Sequence, residues 1–258
     1  MGNYFCVFDR FHGTRSIALS LIVGTCLFSV SSLHAQNSAK SYVEKVDPLE
    51  GINRDIHSFN EFADTYVTRP LAKGYRDLMP DSVEHSVIRV FDNLQEVGSA
   101  VNNLAQGKGH SSAKNAGRFL VNSTIGILGI FDVAEKIGIE KESPEDFGQT
   151  LATWGVGSGP YIVLPFMGPS TLRDAPSRFV DLYLRPPIYI DDIIVRNAVL
   201  GVEVVSERSE LLDFEEAIPE DDAYSFIRDA YLQQREHQIK DGQVVDDFGS
   251  DASGDFLD

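Results

Sequence analysis

Apolar residues recur through the middle of the chain at helical spacing. Ile52, Ile56, Phe59, Ala63 and Tyr66 follow one another at intervals of three or four after Asp47-Pro48, which predicts an amphipathic helix ending before Arg69-Pro70. Val83, Val87, Val90, Leu94, Val97, Val101 and Leu104 repeat the pattern between Pro80 and Gly107, with Asp81 or Ser82 as the expected cap. From Ser112 to about Ile137 apolar residues occupy more than one face, as in a helix buried on several sides or touching lipid. Gly126 and Gly129 interrupt this stretch and predict a break or a close helix crossing, since a helical glycine costs roughly 1 kcal/mol. Two more helices are expected over Ile193 to Leu212 and Asp222 to about His237, the second carrying Tyr224, Ile227, Tyr231 and Gln234 on one face. Arg185-Pro186-Pro187 marks a turn before them. Strand-like alternation is scarce and no fixed-period repeat appears, so the expected fold is mainly α, a single compact multi-helix domain over residues 47–240.

One segment breaks the helical rhythm. Glu145 to Asp174 reads EDFGQTLATWGVGSGPYIVLPFMGPSTLRD, with Gly155, Gly157, Gly159, Pro160, Pro165, Gly168 and Pro169 around the lone Trp154. Between them stand Tyr161, Ile162, Val163, Leu164, Phe166 and Met167. A phosphate cradle, a catalytic elbow and a lipid-facing surface are three readings of such a loop.

The ends differ from the middle. Arg10 and Arg15 precede an apolar stretch from Ile17 to Val30, the form of an export signal and short of the ~20 residues that span a bilayer. Cleavage after Ala35 is the preferred reading, giving a signal peptide over 1–35; Val23-Gly24-Thr25-Cys26 offers the alternative of a lipoprotein box with Cys26 lipidated. Thr25 is bulky for that box, and Leu27 and Phe28 continue the apolar run beyond Cys26. Cys6 and Cys26 are the two cysteines, so a mature domain beginning at Gln36 holds no disulfide. Residues 36–46 form a polar leader. Residues 241–258 carry six aspartates and no basic residue, which predicts a solvated, disordered tail.

Composition narrows the chemistry. The 258 residues carry 22 basic against 39 acidic groups, a formal charge of -17 with no basic stripe, which disfavours nucleic acid. GVGSGP places Pro160 where a dinucleotide fingerprint needs its third glycine, and no Gly-Lys-Ser/Thr follows. Ser111-Ser112-Ala113-Lys114 fits S-x-x-K without a preceding strand or a later Lys-Thr-Gly, so a helix start capped by Ser111 or Ser112 is the stronger reading, and a secreted hydrolase using Ser111 the weaker. His57, His85, His110 and His237 show no ligand spacing, and no metal or cofactor is expected. Glu145-Asp146 and Asp191-Asp192 are sequence neighbours that do not face each other on a helix; Asp146, three residues before Gln149, reads as a helix start. No catalytic constellation emerges and an enzyme is not expected. Apolar helices beside an apolar loop suit contact with acyl chains, with Asn53, Asn60, Asn122 and Ser158 as polar spots for headgroups. A helical core would use the same apolar residues.

Ordered motifs add to this. Asp47-Pro48-Leu49-Glu50-Gly51-Ile52-Asn53-Arg54, followed by Phe59-Asn60, Arg69-Pro70 and Tyr75, resembles the opening signature of the MlaA (VacJ) family. The resemblance continues through Asn93-Leu94, Asn102 to Gly107, Arg118-Phe119, Asn122, Gly126 to Asp132, EDFGQTL, WGVGSGPY and GPSTLRD, and covers most of Asp47 to about Gly242. It implies a ring-like helical body in the outer membrane beside a trimeric porin, with an amphipathic channel. Such a protein withdraws phospholipids misplaced in the outer leaflet and passes them to a periplasmic lipid carrier, without covalent chemistry. By this resemblance Phe59 and Asn60 lie near the channel, and Gly155, Gly157, Gly159, Pro160 and Tyr161 form the glycine-rich motif; these residues, with Phe166 from the apolar run beside them, are the lipid-path or membrane-contact candidates. Glu61 departs from the apolar residue expected beside Asn60, and the Cys26 box departs from a standard lipoprotein signal. The alternative to a phospholipid transporter is a soluble periplasmic helical scaffold whose apolar faces are all core.

Overall fold

A computed structural model describes residues 46–219 and 221–242. Every element named below belongs to the compact unit that begins at Leu49. The export segment with Cys26, the leader up to residue 45 and the tail beyond Gly242 lie outside the described residues.

The helix that opens the domain does not stop at Arg69-Pro70. α1 (Glu50–Ala63) passes through a π turn (Asp64–Thr68) into α2 (Arg69–Leu78) with helical backbone at both joints. The Arg69 amide donates to the Asp64 carbonyl five residues back, and Pro70 falls in the first turn of α2, where the missing N–H and the ring are tolerated. Arg208 grips the same turn, its Nε donating to Asp64 at 2.8 Å.

α3 (Asp81–Ala105) follows the expected periodicity closely, but its N-cap is Pro80, whose extended backbone aims its carbonyl at the amides of Val83 and Glu84. Asp81 and Glu84 instead place negative charge in the first turn, where the helix dipole favours it. α4 (Gly109–Thr124) likewise starts two residues before the expected serine caps, and Ser112 donates to the Ala100 carbonyl at 2.8 Å, tying α4 to α3. The break predicted at Gly126 and Gly129 is real. Gly129 has φ +102°, and a Cβ there would stand 2.7 Å from the Asn93 Cβ and 2.9 Å from the Arg89 carbonyl oxygen. The loop then reaches the short α5 (Val133–Lys136), where Asp132 caps Glu135.

The glycine-rich segment contains secondary structure that alternation did not announce. After α6 (Phe147–Thr153), β1 (Tyr161–Leu164) and β2 (Gly168–Thr171) form an antiparallel hairpin with Tyr161 opposite Thr171 and Leu164 opposite Gly168. Pro165, Phe166 and Met167 make its tip, with Phe166 at φ 62° and Gly168 at φ 73°. α7 (Asp174–Leu184), a 3₁₀ turn (Pro186–Tyr189), α8 (Ile193–Glu210), a second 3₁₀ turn (Leu211–Ala217) and α9 (Ala223–Ile239) complete the chain. Asp192 and Asp222 cap α8 and α9 through their carboxylates. α3 packs on α4, α2 on α8, α1 on β1, and α6 on α7 and α9.

The interior is polar. α3 buries Glu84, Asn93, Glu96, Ser99, Asn102 and Asn103 while Val101 and Leu104 are 45% and 66% exposed. Among the described residues the buried apolar side chains are few and mostly small or aromatic: Ala72, Ala134, Ala175, Val163, Leu212, Tyr161 and Tyr224. Among the described residues no helix is long and apolar enough to cross a membrane.

Candidate functional site: a clamped hairpin beside a polar interior

α1 holds the hairpin by two asparagines two turns apart on one face. Asn53 is 1% exposed; its Nδ2 donates to the Tyr161 carbonyl at 3.1 Å and its Oδ1 accepts from the Val163 amide at 2.9 Å. Asn60 repeats the gesture at the tip, donating to the Leu164 carbonyl at 2.9 Å and accepting from the Phe166 amide at 2.7 Å. The Phe59 ring meets Phe166 edge to face at 5.1 Å. Phe59, Asn60 and Phe166, chosen from sequence as lipid-path candidates, therefore meet at the hairpin tip, whereas Tyr161, chosen with them, is 1% exposed at the other end of β1 and packs against Tyr224 and Tyr231. Both ends of the Asn60 carboxamide, like those of Asn53, are engaged by backbone. Glu61 beside it is exposed.

The remaining motif residues shape the approach to the hairpin. Gly155 (φ +90°) ends α6 in a Schellman turn, its amide donating to Ala152 and that of Val156 to Leu151. Gly159 (φ +67°) lies against Leu172, and the carbonyls of Ser158 and Pro160 accept from the amides of Arg173 and Leu172. A Cβ at Gly157 would meet nothing, so neither space nor backbone demands glycine there.

Two charge networks, missed in the sequence, bind the interior. Arg118 donates to Glu96 at 2.8 Å and to Asp132 at 2.7 Å; Glu96 is also held by Asn115, and Asn115 by Asn103. Arg118 and Glu96 are 3% and 6% exposed, so the pair is desolvated and survives through its additional hydrogen bonds. Asn122 connects Asp132 to the Ala134 amide. In the second network Arg235 bridges Asp146, at 2.7 Å, and Asp174, at 2.9 Å. Burial alone would raise the Asp174 carboxyl, but hydrogen bonds from Arg173 and Arg235 outweigh it and hold it at about 2. Asp146 caps α6 through the Gln149 amide, as the sequence suggested. Gly148 is needed here: a Cβ would lie 2.4 Å from both Arg235 and Asp174.

The outer surface is the reverse. Ile125, Ile127, Leu128 and Phe131 protrude together from the loop after α4, the first and third 69% and 61% exposed, and Leu78, Phe166 and Ile194 are more exposed still. Ser111 and Lys114 both engage Glu142, which leaves that lysine an ion-paired surface cation.

In this helical protein amides, carboxylates and guanidinia are buried while many large aliphatic and aromatic side chains are exposed. The chain belongs to the MlaA lipoprotein family, whose family model matches residues 45–238. It is 31% identical over 229 residues to the intermembrane phospholipid transport system lipoprotein MlaA of Escherichia coli K12, covering 87% of this chain and 89% of that protein. An uncharacterised protein of Rickettsia bellii is 36% identical over 200 residues, 76% of this chain and 78% of its own. A solved structure from work on the maintenance of bacterial outer membrane lipid asymmetry superposes with a TM-score of 0.67 at 33% identity, covering 76% of this chain and 100% of that one.

Proposed function

We propose that this chain is the outer-membrane component of an intermembrane phospholipid transport system, removing phospholipids misplaced in the outer leaflet and passing them to a periplasmic lipid carrier. The observation that carries the reading is the polarity of burial: the buried side chains of α3 and α4 are amides, charges and a serine, while Val83, Val101, Leu104 and Leu120 stand exposed. In this reading a headgroup follows polar groups while acyl chains stay in apolar surroundings, avoiding about 0.8 kcal/mol for each methylene exposed to water. The work is transfer between environments, with no bond made or broken. The apolar belt seats a ring-like body at the periplasmic side of the outer membrane, next to a trimeric porin, and Phe59 and Phe166 line the lipid path at the hairpin tip, which Asn60 holds through its backbone bonds. A diacylglyceryl group on Cys26 would anchor the chain together with the belt, whereas cleavage after Ala35 leaves the belt to carry the attachment alone. The relatives named for intermembrane phospholipid transport support this assignment. A soluble periplasmic scaffold fits poorly with Leu78 and Phe166 at 82% and 78% exposure.

Native mass spectrometry of the mature protein tests the proposal. Extraction that requires detergent, with phospholipid retained on the protein, is the expected result; a lipid-free monomer soluble without detergent overturns it. The same spectrum's N-terminal mass separates Cys26 from Gln36.

A further inference from the structure

A cavity of about 240 Å³ opens between the start of α6, α7 and α9, apart from the hairpin clamp. Its charges do not cancel in pairs. Asp146 and Asp174 are both bonded to Arg235, and Asp174 also to Arg173. Asp181 receives only neutral donors, the Phe147 amide at 2.9 Å and Asn102 Nδ2 at 3.1 Å. Arg178 donates Nη1 and Nη2 to the carbonyls of Met167 and Pro169, each at 2.7 Å, which leaves three of its five N–H groups unspent. Among the described residues no ion pair joins either group to a partner of opposite charge. Three residues apart on α7, they share a helix face that lines the cavity, a carboxylate and a guanidinium offered one turn apart.

We infer that this cavity binds a small zwitterion, an ammonium bearing N–H groups linked to a phosphodiester, with the ammonium on Asp181 and the phosphodiester on Arg178. Guanidinium groups match phosphate oxygens in charge and geometry, and Gln234 on α9 adds further polar contact at the rim. A carboxylate with free lone pairs rewards N–H donors; a quaternary ammonium has none and is recognised by an aromatic cage, for which the cavity offers only Tyr231. The chemistry is that of an ethanolamine headgroup. That the source is a membrane lipid rests on the phospholipid reading above; the site itself does not. Burial, with the neighbouring Asp146 charge adding to it, pushes Asp181 up to about 6, as befits a carboxylate short of a cation.

Calorimetric titration of the detergent-solubilised mature protein with glycerophosphoethanolamine, glycerophosphocholine and glycerol phosphate is the test. Saturable binding of the first, weaker by about tenfold or more for the other two and in Asp181→Asn and Arg178→Gln, is expected. Arg178→Gln also loosens the hairpin, so the pH profile serves as a second reading. Asp146 and Asp174 are held low, Tyr231 is raised to about 12 and Arg235, despite its burial, is raised further by its two carboxylates, so binding falls as pH drops through about 6 in the wild type and stays flat in Asp181→Asn. Equal affinity for the choline compound, no binding of the ethanolamine compound, or unchanged binding in both variants overturns the inference. Displacement by phosphatidylethanolamine in mixed micelles assigns the natural ligand to lipid, and binding without displacement assigns it to a soluble zwitterion, the site standing in both cases. Phospholipid retained by the same preparations reports lipid handling separately.

Discussion

Asn53 is hydrogen-bonded to Tyr161 across 108 residues of chain, at 3.1 Å, and its other carboxamide atom closes on the Val163 amide. The edge of α1 thereby supplies what a third strand would supply to β1, and the two-stranded hairpin, too small to be stable alone, is completed by a helix.

Asn53→Ala removes the side-chain bonds to the buried Tyr161 carbonyl and Val163 amide. At about 1–3 kcal/mol each, the loss of stability should be about 2–6 kcal/mol in a denaturant titration in detergent. Asn60→Ala, at the more exposed tip, should lose less, about 1 kcal/mol. A silent Asn53→Ala would sink the idea that the clamp holds the hairpin.

Arg118→Met should be among the most damaging single changes, about 3–5 kcal/mol, because Glu96 is left charged and buried. The companion double variant Glu96→Gln with Arg118→Met removes both charges and should recover part of that loss. Thermal melts of the three proteins decide it; no recovery in the double variant counts against an electrostatic origin.

Acid affects Asp174 and Asp181 in opposite directions. Asp174, depressed to about 2 from an ordinary 3.8, contributes stability that is present above 3.8 and lost as pH falls through about 2. Asp181, raised to about 6, holds a proton in the folded state that the unfolded chain releases down to 3.8, so stability rises as pH falls from about 6. Relative to Asp181→Asn, the wild type should therefore gain melting temperature between pH 7 and pH 4. A constant or shrinking difference contradicts the assignment.

Replacing Ile125, Ile127 and Leu128 together by serine should leave the fold intact, since these side chains are mostly exposed. Burying each such side chain in an apolar phase is worth about 1.5–3 kcal/mol, so binding to phospholipid vesicles should fall by at least about tenfold. Flotation of the purified variant measures this, and undiminished binding would remove the loop from the membrane-contact surface.

Much of the helical framework is readable from spacing, and its orientation is not. Val83 to Leu104 marks α3 within two residues at each end. Apolar periodicity says which residues share a face and is silent on whether that face meets protein or lipid. The missing sign lay in the polar residues: Asn93, Glu96, Ser99 and Asn103 on α3, and Asn115, Arg118 and Asn122 on α4, repeat at the same spacing on the opposite faces. Asn53, Asn60 and Asn122 read from sequence as polar spots for headgroups, but their carboxamides are engaged by backbone groups and, for Asn122, by Asp132, partners that no local pattern reveals. The hairpin escaped because its strands are four residues long, β2 reads Gly-Pro-Ser-Thr, and its third edge comes from α1. The meeting of Phe59 and Asn60 with Phe166 was foretold neither by spacing nor by the family motifs.

The π turn at Asp64–Thr68 alters the phase of the rod that contains it. An α-helix advances about 100° per residue, so one additional residue in a widened turn rotates everything downstream by roughly that angle. Upstream of it Asn53 addresses the hairpin; downstream Ala72 is buried where α2 lies along α8. An unbroken α-helix of the same sequence would hold one of these appointments and miss the other. The rod works as a crankshaft with two offset journals, and Arg208, locked to Asp64, is the bearing that keeps the offset in place.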